Sequence, residues 1–163
     1  MPLQTGQTLP DATVLIMGGD GPEQVQLQDL LKGRKVVLFA LPGAYTGTCT
    51  TAHVPSFIRT AKAFADKGVD QILCLSVNDP FVMAAWGAST GASDAGITMV
   101  ADTQAAFTKA VGMDFSVPER GFIDRSKRYA ALIEDGVVTI LNEEPAGGEC
   151  DISGGEALLA RLD

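Results

Sequence analysis

The sequence predicts an α/β fold: a central mixed β-sheet flanked by helices, with an N-terminal β-hairpin. Three observations predict it. Val36-Val37-Leu38-Phe39-Ala40-Leu41 and Gln71-Ile72-Leu73-Cys74-Leu75-Ser76-Val77 are nearly continuous apolar runs, the pattern of strands buried on both faces. Between them Val54, Phe57, Ile58, Ala61, Phe64 and Ala65 recur at three- and four-residue spacing, the amphipathic crossover helix that a parallel pair requires. Near the C-terminus, runs 129–133 and 137–141 are joined through Glu134-Asp135-Gly136, where Asp-Gly favours a tight antiparallel turn.

The elements follow in order. Apolar runs 14–17 and 25–27, separated by Gly18-Gly19-Asp20-Gly21-Pro22, form the hairpin. Pro42-Gly43 ends the first buried strand, and Lys67-Gly68 stops the helix after it. Asn78-Asp79-Pro80 opens a second helix, with proline in its first turn, that carries Phe81, Met83, Ala84 and Trp86, of which Phe81, Met83 and Trp86 read as core. A short strand at 99–101, a short helix at 104–111 ended by Gly112, and a C-terminal helix at 156–162 after Ser153-Gly154-Gly155 complete one domain spanning residues 1–163.

Composition narrows the function. The net charge of −8, from 12 basic and 20 acidic side chains, argues against a nucleic-acid backbone or an anionic membrane surface as partner. No apolar run approaches the roughly 18 residues of a membrane span, and the N-terminus shows no signal-peptide pattern, so a cytoplasmic location is expected. Three cysteines do not make a secreted disulfide framework, and the thiols are expected to be reduced at rest. The single histidine, His53, has no second histidine or cysteine cluster with it, so no metal site is expected. The Gly-Gly and Asp-Gly pairs lack a dinucleotide-binding arrangement, and no cofactor is expected.

Cys49 lies just beyond a strand end, at the start of a helix. Unsatisfied N–H groups there carry partial positive charge and favour a thiolate. Thr46, three residues earlier, offers a hydroxyl, and Pro42 fixes the turn and removes one N–H. Position alone reads equally well as a reactive thiol or as a small buried residue at a helix start. Arg128, taken by itself, reads as a solvated surface arginine.

Pro42-Gly43-Ala44-Tyr45-Thr46-Gly47-Thr48-Cys49 resembles the P-x-x-x-T-x-x-C loop of peroxiredoxins. The flanking Thr51-Ala52-His53-Val54-Pro55-Ser56-Phe57, Cys74-Leu75-Ser76-Val77-Asn78-Asp79-Pro80-Phe81-Val82-Met83 and Lys127-Arg128-Tyr129-Ala130 resemble the type II, or peroxiredoxin-five, group. The resemblance covers essentially the whole chain. It implies a thioredoxin-like fold and a thiol-dependent peroxidase reducing hydrogen peroxide and organic hydroperoxides through a cysteine sulfenic acid. It also implies regeneration by glutathione, glutaredoxin or thioredoxin, and a homodimer. By the same resemblance Cys49 is the peroxidatic nucleophile, Thr46 orients the peroxide, Pro42 shields the thiolate and Arg128 polarises sulfur and substrate. Gly47 departs from the proline common at that position in the group and loosens the loop. Cys74 reads as a core residue. Cys150, after Gly147-Gly148-Glu149, reads as loop-borne and accessible, and either it or an external thiol resolves the sulfenic acid. His53, four residues after Cys49 on the same helix face, reads as structural before catalytic.

Overall fold

A computed structural model describes residues 2–145 and 149–162. Its main sheet has seven strands in the order β2-β1-β5-β4-β3-β8-β9, with β1 Thr13–Gly18, β2 Gly21–Gln26, β3 Lys35–Ala40, β4 Gln71–Ser76, β5 Ile97–Ala101, β8 Tyr129–Glu134 and β9 Val137–Glu143. The central strands β3, β4 and β5 are parallel, and β8 and β9 extend the sheet antiparallel beyond β3. The central run is a strand buried on both faces, as expected. Val37, Phe39 and Leu41 face one core, and Val36, Leu38 and Ala40 face the other.

Helices α2 (Val54–Asp66), α3 (Pro80–Thr90) and α5 (Gly155–Leu159) supply Phe57, Phe64, Trp86 and Leu158 to the first core. Helices α1 (Leu27–Leu31) and α4 (Ala106–Ala110) supply Leu27, Leu31 and Phe107 to the second. Start and stop signals act as expected. The Asp79 carboxylate accepts from Val82 N at 2.8 Å to cap α3. The β8–β9 turn places Asp135 and Gly136 at φ of 48° and 81°, the twist that matches a two-residue hairpin.

Three expectations need correction, and one element was not expected at all. The run at 25–27 is not all strand: Leu27 begins α1, whose Leu27 and Leu31 bury one turn apart. The helix expected at 104–111 is shorter because Ala105, at φ 58°, leaves helical space, and the Asp102 carboxylate caps the turn by accepting from Phe107 N and Thr108 N. The C-terminal helix ends at Leu159, after which Arg161 N and Leu162 N bond three residues back in a tightened turn. A separate two-stranded hairpin, β6 (Asp114–Val117) and β7 (Phe122–Ser126), had no predicted counterpart. Among the described residues no helix is long and apolar enough to cross a membrane.

Candidate active site

The chain leaves β3 at Ala40 and turns before re-entering helix at Gly47, two residues ahead of Cys49. Asn78 Oδ1, beyond the end of β4, accepts from Ala44 N at 3.0 Å and from Ser76 Oγ at 2.6 Å, which ties the loop to the sheet edge. Tyr45 takes a left-handed φ of 64°, a strained conformation for a bulky residue. Thr46 Oγ1 donates to the Gly43 carbonyl at 2.7 Å, and the Thr46 carbonyl accepts from Thr50 N at 3.0 Å. Gly47 is exposed with open space around it. The helix starts at Gly47 and Thr48, so Cys49 lies in its first turn, near the start as expected; the stretch Cys49–His53 is π-helical and runs on into α2.

Sheet register decides what faces the sulfur. The antiparallel β3–β8 pairing places Tyr129 opposite Ala40, so Arg128 stands beside the end of β3 from which the Cys49 loop departs. Arg128 is only 3% exposed, contrary to the solvated reading of that residue taken alone. Its Nη2 donates to Cys49 Sγ at 3.2 Å, bridging 79 residues of chain. Its Nη1 contacts His53 Nδ1 at 3.0 Å. An arginine can only donate, so Nδ1 accepts and the imidazole proton resides on Nε2, which donates to the Ser153 carbonyl at 3.0 Å. His53 packs against Phe39 and Phe57, with ring centroids 5.1 and 5.7 Å away. Burial first and the neighbouring Arg128 charge second lower its pKa to about 3, against the weaker opposing effect of the Ser153 hydrogen bond. The ring is therefore neutral across physiological pH.

The other two cysteines differ sharply. Cys74 is locked mid-sheet between Phe39 and Met99, and burial, with the Cys49 sulfur adding to it, pushes its thiol well above the usual range. Cys150 is partly buried, short of the full accessibility expected, and its thiol is also raised by burial, which outweighs the lowering influences of the Ser153 hydroxyl and Arg128. Gly147 and Gly148, on which its loop reading drew, lie outside the described residues. The segment after Cys150 is pinned by the Glu144 carboxylate. Its Oε2 accepts from Asp151 N at 3.0 Å, Ser153 N at 3.0 Å and Ser153 Oγ at 2.6 Å. Burial acts to raise this carboxyl, but those bonds outweigh it and hold the group below its ordinary value. Glu144 N in turn donates to the Arg128 carbonyl at 3.0 Å.

A cationic donor thus meets a buried thiol at the strand end that also carries a threonine and a proline, and no cluster of metal ligands lies among the described residues. The Redoxin family profile matches residues 4–159. Peroxiredoxin-2C of Oryza sativa subsp. japonica is 44% identical over 99% of both chains. The crystal structure of reduced Prx3 in complex with H2O2 from Vibrio vulnificus matches with a TM-score of 0.92 and 45% identity, covering 99% of each chain. The chain belongs to the peroxiredoxins. Peroxiredoxin 5 from Alvinella pompejana, with a TM-score of 0.85 and 32% identity over 99% of this chain and 98% of that one, agrees with the type II assignment. The protein is an enzyme, a thiol-dependent peroxidase on a thioredoxin-like fold.

In this peroxiredoxin Pro42, Thr46 and Arg128 all line a pocket of about 680 Å³. Cys49 is 0% exposed and does not itself line the pocket. The unpredicted hairpin adds Phe115, Val117 and Phe122 to the same lining. Arg125 on β7 stacks over Phe122 and donates to the Pro42 carbonyl at 2.9 Å, with Nη1 filling the space that a Cβ on Gly43 would need. The alternation of Phe115 and Val117 ahead of Pro118 and Gly121 was the signal for this hairpin in the sequence.

Proposed function

We propose that Cys49 of this enzyme reduces hydrogen peroxide and small organic hydroperoxides, with Arg128, Thr46 and Pro42 serving the reaction. The observation that carries this reading is the 3.2 Å hydrogen bond from the Arg128 guanidinium to the Cys49 sulfur in a site closed to solvent. Charge-assisted hydrogen bonds are about twice as strong as neutral ones, and a low local dielectric enhances them. The thiolate attacks the distal oxygen of R–O–OH. The S–O bond forms as the O–O bond breaks, and the departing RO⁻ takes a proton to leave as alcohol or water. Sulfur is oxidised by two electrons to sulfenic acid. Arg128 opposes the negative charge as it passes from sulfur to the leaving oxygen. Thr46 spends its proton on Gly43, which leaves its lone pairs to accept a peroxide O–H and orient the substrate. Pro42 is buried at the start of the same loop and brings no N–H that would recruit water.

The sulfenic acid is then resolved by Cys150, forming a disulfide and releasing water, and an external thiol (glutathione, glutaredoxin or thioredoxin) reduces that disulfide. Cys74 cannot serve without breaking three strands, whereas Cys150 lies partly exposed outside the sheet. A reducing, cytoplasm-like compartment suits three free thiols. Exposed Tyr45 and Phe81, the latter expected in the core, support a homodimer surface.

Rapid mixing with one equivalent of peroxide tests the first step. Wild-type protein is expected to consume it, and Cys49→Ser to lose at least about 10³-fold in rate; retained activity in that variant rejects the reading. Mass spectrometry of the wild-type product is expected to show a Cys49–Cys150 disulfide. A persistent sulfenate or a glutathione adduct would assign resolution to an external thiol instead.

A further inference from the structure

We propose that His53 is a positioning residue for the peroxidase reaction: its Nδ1 lone pair, braced through Nε2 by the Ser153 carbonyl, holds the Arg128 guanidinium so that Nη2 stays on the Cys49 sulfur. The inference rests on the peroxidase reading of Cys49 and goes beyond it. Three contacts in series carry it: Cys49 Sγ to Arg128 Nη2 at 3.2 Å, Arg128 Nη1 to His53 Nδ1 at 3.0 Å, and His53 Nε2 to Ser153 O at 3.0 Å. A guanidinium is a rigid planar fork, so fixing one terminal nitrogen fixes the direction of the other. Arginine otherwise carries much rotamer freedom, which any reaction needing one orientation must overcome.

The choice of an imidazole has a chemical reason. A carboxylate in that place would also hold the fork, but its charge would cancel the field the sulfur and the leaving oxygen require. A neutral acceptor orients the cation and leaves its charge available. Burial among Phe39 and Phe57, with Arg128 alongside, keeps the ring neutral, and the Ser153 carbonyl selects the tautomer that presents Nδ1 as a lone pair.

The brace also reaches the Cys150 segment. Ser153 is fixed by Glu144 through two hydrogen bonds. Next to it, Gly155 N donates to Ser56 Oγ at 2.9 Å, and a Cβ on Gly155 would fall 2.4 Å from the Ser56 carbonyl. This close approach of α5 to α2 brings the Ser153 carbonyl within reach of His53. Since His53 closes the same π-helical turn that Cys49 opens, unwinding that turn after oxidation also releases Arg128. The peroxide-ready geometry is thereby tied to the seating of the segment that carries Cys150.

A double-mutant cycle on the full chain tests this, read as the single-turnover rate of Cys49 oxidation by peroxide, which needs no reductant. His53→Leu is expected to slow oxidation by about 10- to 100-fold, the scale of a misplaced reacting group. His53→Asn, which restores an acceptor near the Nδ1 position, is expected to recover most of that loss. In an Arg128→Met background His53→Leu is expected to add little, because its effect passes through the arginine. Circular dichroism and melting curves confirm that the variants are folded; if Leu is not tolerated, His53→Ala against His53→Asn gives the same comparison. Equal losses with and without Arg128, or a His53→Leu rate within twofold of wild type, overturn the proposal. Failure of the underlying peroxidase reading looks different: the wild-type protein itself would be inert to peroxide, or Cys49→Ser would remain active.

Discussion

Cys49 and Cys74 belong to the same apolar core and are equally shut off from solvent, yet their surroundings differ in kind. Around Cys74 there is hydrocarbon and backbone already paired within the sheet, and its thiol is driven far from ionisation. Around Cys49 there is one guanidinium, itself held by a neutral imidazole. Burial by itself disfavours a charged sulfur. The same burial strengthens an electrostatic partner where one exists. The difference teaches that depth in the core does not by itself fix what a thiol meets: of two equally buried sulfurs, one faces hydrocarbon and the other a cation.

The comparison can be broken by removing that cation. Arg128→Met should make the surroundings of Cys49 resemble those of Cys74, and is expected to lower the rate of peroxide reduction by about 10²- to 10³-fold, the effect of losing one preorganised charge donor. Stopped-flow kinetics at saturating reductant measures this, and a loss under threefold would show that the guanidinium is not what separates the two sites.

It can be sharpened by acid. His53 ionises near 6.5 when unfolded and near 3 when folded, so between these values the unfolded chain binds the extra proton. Its contribution to stability is complete above pH about 6.5 and falls as the pH drops towards 3, by an amount on the order of a few kcal/mol. Urea midpoints across that range are expected to decline more steeply in wild type than in His53→Leu. Parallel pH profiles would mean that the imidazole is not buried as described.

The smallest effect is expected at Cys74. Cys74→Ala should cost about 1 kcal/mol of stability through lost packing and leave the peroxide rate unchanged, as thermal melts and kinetics on one preparation will show. A rate change beyond twofold would give Cys74 a part in the chemistry.

Much of this architecture could be read before any coordinates. Strands with two buried faces, the Asp79 cap, the Asp135-Gly136 turn and the place of Cys49 after a strand are local properties, encoded in short windows of side-chain pattern. What escaped reading was short or depended on partners. Helix α1 has only five residues, too few for a periodic signal. The β6–β7 hairpin lies outside the main sheet, carries a register shift and is interrupted by Pro118, so its alternation is brief. With it escaped Arg125 and the apolar wall of the pocket. His53 was read as structural, and four residues of helix spacing could not reveal that its ring faces Arg128 rather than solvent or the thiol.

By itself the sequence determined the order of most of the elements, the place of Cys49 just past a strand and, through its motifs, the family. Tertiary structure decided which charge meets the sulfur. The pairing of β8 against β3 brings residue 128 to the end of residue 40's strand, and the docking of α5 on α2 carries the Ser153 carbonyl to His53. Neither contact is written in any local window, because each links segments separated by 75 to 100 residues, and only packing the whole core fixes how such segments lie against one another.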